Sequence, residues 1–216
     1  MRLGLLLLLP CLIGAHVAKA SDMSGGARTP DPRMGELSQP HESATYQLRI
    51  ELPPGVRLCG MIDSFSSMEW FYMPVDPAIR CEEFRLPMDW EQLPDFIVIG
   101  PYLDTPMNLE SLDDYVRQET FFCAGKNIGN GNGLPRPSDA ATSVESAGNA
   151  LLGLRTVMCT RGDQKTDRYS KAFLSYKSMP GDSGRGYMVA AYTHLKNRRD
   201  ADRLLEDVVG RLKLLN

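Results

Sequence analysis

The sequence predicts an α+β domain in which helices cover an antiparallel sheet. Three observations carry that prediction. Residues 45–52 alternate strictly, with Tyr46, Leu48, Ile50 and Leu52 on one side and Thr45, Gln47, Arg49 and Glu51 on the other. Two β-rich runs, 168–178 and 187–195, flank the turn-forming stretch Pro180-Gly181-Asp182-Ser183-Gly184. The chain closes on a segment in which Ala201, Leu204, Leu205, Val208, Leu212 and Leu215 recur at helical spacing, while Arg199, Asp202, Arg203, Glu206 and Arg211 face water.

Taken in order, the chain opens on an export signal. Arg2 supplies the positive start, Leu5, Leu6, Leu7, Leu8 and Leu9 with Leu12 and Ile13 the apolar run, and Ala18-Lys19-Ala20 the small-x-small pattern of signal cleavage. Residues 1–20 read as the signal peptide and Ser21 as the mature start, which places the protein in the periplasm or outside the cell. Cys11 lies inside the apolar run with no mature start after it, which argues against a lipoprotein. No later stretch approaches the roughly 20 apolar residues of a membrane helix, so no membrane span is expected. Residues 21–43, rich in Ser, Gly and Pro, read as a flexible leader that buries too little to offset its ordering entropy. A single domain then covers 44–216.

The first strand, within 45–52, ends at Pro53-Pro54-Gly55. Residues 56–61 and 69–75 read as strands, in a region broken by Pro74, Pro77, Pro87 and Pro94. Residues 96–103 form a short apolar run typical of a buried strand. Asn108 or Ser111 caps a helix running to about Phe122, with Leu112, Tyr115 and Val116 inward and acids in its first turn. Residues 125–137, with Gly129, Gly131, Gly133, Pro135 and Pro137, read as a loop. Strands at 152–160, 168–178 and 187–195 and the terminal helix complete the order.

Removing Arg2 and Lys19 with the signal leaves 22 cations against 27 acids, a mature charge of about −5. That balance argues against nucleic acid as a partner, since phosphate binding needs clustered cations. Cys59, Cys81, Cys123 and Cys159 form an even set that an oxidising compartment pairs. Four cysteines allow three pairings, which the sequence leaves open. Cys59 with Cys81 and Cys123 with Cys159 is favoured because each pair brackets one continuous segment. None lies in a CxxC arrangement, so no metal and no cofactor is expected. No Asn-x-Ser/Thr sequon occurs, which favours a bacterial periplasm over a eukaryotic secretory route.

The element order, the opening strand that ends in Pro-Pro-Gly, the Ser111-Leu112-Asp113-Asp114-Tyr115-Val116 helix and the strand-plus-helix ending at 186–215 resemble the PsbP-like family of exported bacterial proteins. The resemblance implies a three-layer α/β/α sandwich without catalytic function.

Sharper motifs weaken in context. Gly181-Asp182-Ser183-Gly184 matches the nucleophile tetrapeptide of chymotrypsin-like proteases, with His41 upstream in the order of their triad. Ser183-Gly184 is followed by Arg185-Gly186, however, and His41 sits in the leader, where a base cannot be held. His194 reads as a strand-end residue. The glycine run at 129–133 lacks the Lys-Ser/Thr and following helix of a phosphate loop. Asp113-Asp114 and Glu82-Glu83 read as helix-start and surface acids rather than glycosidase carboxylates or a calcium site.

The aromatics Phe65, Trp70, Phe71, Tyr72, Trp90 and Phe96 concentrate in the proline-broken region near two cysteines. The core reading is favoured for Trp70 and Phe96; at the rim, Phe65, Trp70, Phe71, Tyr72 and Trp90 are candidates for an interface with a protein partner. The sequence therefore reads as an exported, non-catalytic binding protein, an accessory or toxin-neutralising (immunity) factor. The alternative is a secreted serine hydrolase using Ser183.

Overall fold

The structure is a computed structural model that describes residues 34–62, 69–83, 94–100, 111–118, 123, 141–164, 166–179 and 182–215. The signal peptide, Phe65, Trp90 and the glycine loop at 125–137 lie outside the described residues. The folded unit is Pro32–Asn216.

Its elements are β1 (Gly35–Glu36), β2 (His41–Ser43), β3 (Leu48–Ile50), β4 (Cys59–Ile62), β5 (Glu69–Pro74), β6 (Phe96–Gly100), α1 (Leu112–Gln118), β7 (Ala141–Ser146), β8 (Thr156–Asp163), β9 (Arg168–Met179), β10 (Asp182–His194), α2 (Arg198–Arg211) and β11 (Lys213–Leu214). Eight strands form one antiparallel sheet in the order β1-β4-β5-β6-β10-β9-β8-β7, and β11-β3-β2 form a second. The register carries one row of side chains across the large sheet: Glu36, Cys59, Tyr72, Val98, Ala190, Ala172, Cys159 and Val144 stand opposite one another in turn.

Each face of that sheet has its own core. One face packs Trp70, Tyr72, Phe96 and Val98 with Leu112 and Tyr115 of α1 and with all four disulfide cysteines. The other packs Phe71, Ile97, Ile99 and Val189 against Leu48 and Ile50 of the small sheet and against Ala201, Leu205, Val208 and Val209 of α2.

The three-layer α/β/α sandwich is therefore corrected to a mostly-β fold. Among the described residues the first face carries only α1, seven residues or two turns, and residues 119–122, to which the sequence reading ran it, lie outside the described residues. Only α2, with fourteen residues, is a substantial helix among the described residues. Ser111 is the cap actually used: its hydroxyl accepts the Asp114 N–H at 3.1 Å.

The leader also ends earlier than expected. Residues 35–36 and 41–43 pair with β4 and β3, so the ordered domain includes His41. Alternation in 45–52 holds: Tyr46, Leu48, Ile50 and Leu52 are buried. β10 is longer than read, starting at Asp182. The register with β9 shifts between Asp182 and Arg185, and Gly184 has φ +93°. A Cβ there would sit 2.1 Å from the Tyr176 phenol oxygen. Gly184 of the protease-like tetrapeptide thus serves a β-bulge.

Candidate functional site

Of the five aromatics named as interface candidates, the three among the described residues are in the core. Trp70 is 2% exposed, Phe71 2% and Tyr72 5%, so these three present nothing to a partner. Their strand β5 lies between β4 and β6 and is covered on both sides, which places Trp70 and Tyr72 in one core and Phe71 in the other. The structure forms the Cys59–Cys81 and Cys123–Cys159 disulfides. Two such bonds suggest an oxidising, extracellular location. No described helix is long and apolar enough to cross a membrane.

Ser183 and His194 sit at opposite ends of β10. Eleven residues at a strand rise of ~3.3 Å separate them by roughly 35 Å. His41 packs on Phe71, with ring centroids 5.2 Å apart. Phe71 is in register, through Ile99, with Val189, six residues (roughly 20 Å) along β10 from Ser183. A base must lie within ~3 Å of its nucleophile, so neither histidine serves Ser183. The acid pairs have structural partners as well. Asp114 accepts the Ser111 hydroxyl at 3.0 Å, Glu82 pairs with Arg80 at 3.3 Å, and Glu83 accepts the Arg80 N–H at 2.9 Å.

A polar cluster that the sequence did not flag forms where β6 begins and β10 ends. Asp95, just ahead of β6, accepts the His194 backbone N–H at 2.9 Å and the imidazole Nδ1–H at 2.7 Å on Oδ1. Its other oxygen accepts the Asn197 amide, and Arg168 Nη1 stands 3.5 Å from Oδ1. Burial pushes the Asp95 carboxyl up, but the hydrogen bonds from Asn197, Thr193 and His194 outweigh it and hold it below the ordinary carboxylate range. Because Nδ1 donates to Asp95, the Arg168 nitrogen 3.4 Å from it is a close contact rather than a hydrogen bond.

A carboxylate that orients an imidazole is the arrangement of a general base. Here its evident work is mechanical: the carboxylate ties the start of β6 to the end of β10 and to the turn that launches α2. Sequence reasoning could not find it, since Asp95 and His194 are 99 residues apart and share no local motif.

The second feature is an open sheet edge. β7 is the last strand of the large sheet, and among the described residues nothing pairs with its outer side. The opposite edge, β1, is two residues long, and the small sheet ends in strands of two and three. β7 has six residues, Ala-Thr-Ser-Val-Glu-Ser, with no Lys, Arg or Pro. Charged or proline-bearing edges discourage strand addition, and this one lacks both devices apart from Glu145. Val144, 53% exposed, is the one large apolar side chain left in solvent among the described residues. It stands directly opposite Cys159, which the disulfide fixes to Cys123. The edge is thus backed by a covalently anchored strand.

The chain matches no protein-family model and no curated protein.

Proposed function

We propose that the chain is an exported, non-catalytic binding protein of the bacterial envelope, an accessory or toxin-neutralising factor, whose protein partner adds an extended segment to β7. The observation that carries the reading is the six-residue open edge with exposed Val144. Strand addition draws affinity from backbone hydrogen bonds and specificity from alternate side chains, so it needs a free, rigid edge rather than a pocket. Export is supported by the signal pattern at 1–20, by the two disulfides and by the resemblance to exported PsbP-like proteins, whose sandwich architecture is set aside above. A mature charge of about −5 favours a basic or neutral partner surface.

The test is capture of partners from native envelope extracts by the oxidised protein, run beside a Val144→Lys/Ser146→Lys double variant. Both substitutions lie on an exposed edge and leave the fold intact. A near-stoichiometric protein recovered by the wild type and lost by the double variant supports the reading. No captured protein even after cross-linking, or equal recovery by both, overturns it.

A further inference from the structure

The backbone of β7 is matched to a second copy of itself. The Ala147 N–H donates to the Thr156 carbonyl at 2.9 Å, and the β7–β8 register runs unbroken from Ala141 opposite Gly162 to Ser146 opposite Val157. Antiparallel neighbours alternate between hydrogen-bonded and non-hydrogen-bonded pairs. Ser143 and Glu145 therefore turn their N–H and C=O toward β8, while Thr142, Val144 and Ser146 turn theirs outward. Residues 143–146 are all exposed, so no described residue covers either face of the strand there.

An antiparallel copy can bond to this edge only in a register that sets outward residues opposite one another, which a two-fold axis does when it passes through a residue. Centred on Glu145, the pairing sets two carboxylates opposite each other, and they repel. Centred on Ser143, it leaves Ser146 beyond the end of the partner strand. Centred on Val144, it pairs Thr142 with Ser146 and Val144 with Val144 of the partner copy. That register engages every outward residue through about six backbone hydrogen bonds. It also sets Glu145, the only charge on the strand, opposite Ser143, and brings the two exposed valines together on the face where Cys159 is bridged to Cys123.

We infer that two copies of the chain join their large sheets by antiparallel β7–β7 pairing centred on Val144. The inference rests on the open-edge reading above and supplies what covers the edge when no partner strand is there. The contact is isologous and closes on itself, so it stops at a dimer. One pair of six-residue strands buries well under the roughly 1,200–2,000 Å² of a stable interface. Association is therefore weak: dilute solutions hold the monomer with β7 free, and a better-fitting strand displaces the second copy.

Sedimentation equilibrium of the oxidised full chain from about 5 μM to about 1 mM tests this, with half-association expected above about 100 μM. Val144→Lys/Ser146→Lys is expected to stay monomeric throughout, because it places two ammonium groups opposite each other at the centre of the pair. Val144→Cys reads the register: under mild oxidation at about 0.5 mM it forms a linked dimer, since paired Cα atoms about 5.5 Å apart are within reach of a disulfide. Ser146→Cys does not, because its counterpart in the other copy lies four residues along the strand, roughly 13 Å away. A wild type still monomeric at about 1 mM, a lysine double variant that associates as the wild type does, or Ser146→Cys linking as fast as Val144→Cys overturns the inference. Partner capture is run below about 10 μM, where the chain is monomeric. Loss of self-pairing thus leaves the partner reading standing, and an empty capture leaves the dimer standing.

Discussion

The two faces of the eight-stranded sheet are covered by different means. On one, α2 and the β2-β3-β11 sheet bury a continuous set of apolar side chains, among them Ile50, Leu205 and Val208 at 0% exposure, and no disulfide takes part. On the other, the described cover is the two-turn α1 and short segments, and both disulfides lie there. Each bridge fastens one of those segments to a strand: Cys81 to β4, Cys123 to β8. Regular elements secure a face through buried area, about 1.5–3 kcal/mol for each fully buried aliphatic side chain. Where the described cover is slight, cross-links contribute by restricting the unfolded chain. For separations of 22 and 36 residues the chain-entropy account gives about 3–4 kcal/mol each. The comparison teaches that the cross-links an oxidising environment allows both serve one face.

The strongest way to break that contrast is to remove the cross-links. Replacing Cys59 and Cys81, or Cys123 and Cys159, by serine is expected to cost about 2–5 kcal/mol per bridge in urea unfolding, and dithiothreitol should reproduce the loss in the wild type. An unchanged midpoint would mean that the first face is held by packing after all.

The matching probe of the other face is Leu205→Ala, expected to cost about 2–5 kcal/mol through lost burial and a residual cavity. Because Leu205 and the Cys59–Cys81 bridge act on opposite faces, their effects should add within about 0.5 kcal/mol. A larger coupling would show that the sheet transmits strain between the two cores.

Asp95 sharpens the picture at the seam where β6, β10 and α2 meet. Its folded carboxyl is held below its ordinary value, so it contributes stability that is present above the unfolded pKa of about 4 and is lost as pH falls through the folded value. Asp95→Asn should cost about 1–3 kcal/mol near neutrality and flatten the acid limb of the stability profile below about pH 4. An acid limb identical to that of the wild type would remove Asp95 from this role.

Legibility followed the same division. Alternation in 45–52, the helical spacing from Ala201 to Leu212 and the long hairpin could be read because each pattern arises from one-sided burial. Trp70 and Phe96 were read as core and are; Phe71 and Tyr72 stayed interface candidates because a strand buried on both faces shows no alternation to mark them as core. β1 and β2 were hidden in a Ser- and Pro-containing stretch whose order comes from distant partners. Leu37, for instance, packs so closely on Gly60 that a Cβ there would lie 2.3 Å from it. β7 escaped because a short polar edge strand has no hydrophobic period to read. The Asp95 cluster was illegible for a related reason: Asp95 and His194 meet only through the fold.

The most direct test of the binding account is hydrogen exchange on the captured complex, read amide by amide along β7. The account predicts that outward-facing amides within Ala141–Ser146 exchange freely in the isolated protein and become protected in the complex, while those of α2 are unchanged. Protection confined to other segments, with β7 exchanging as before, would contradict it.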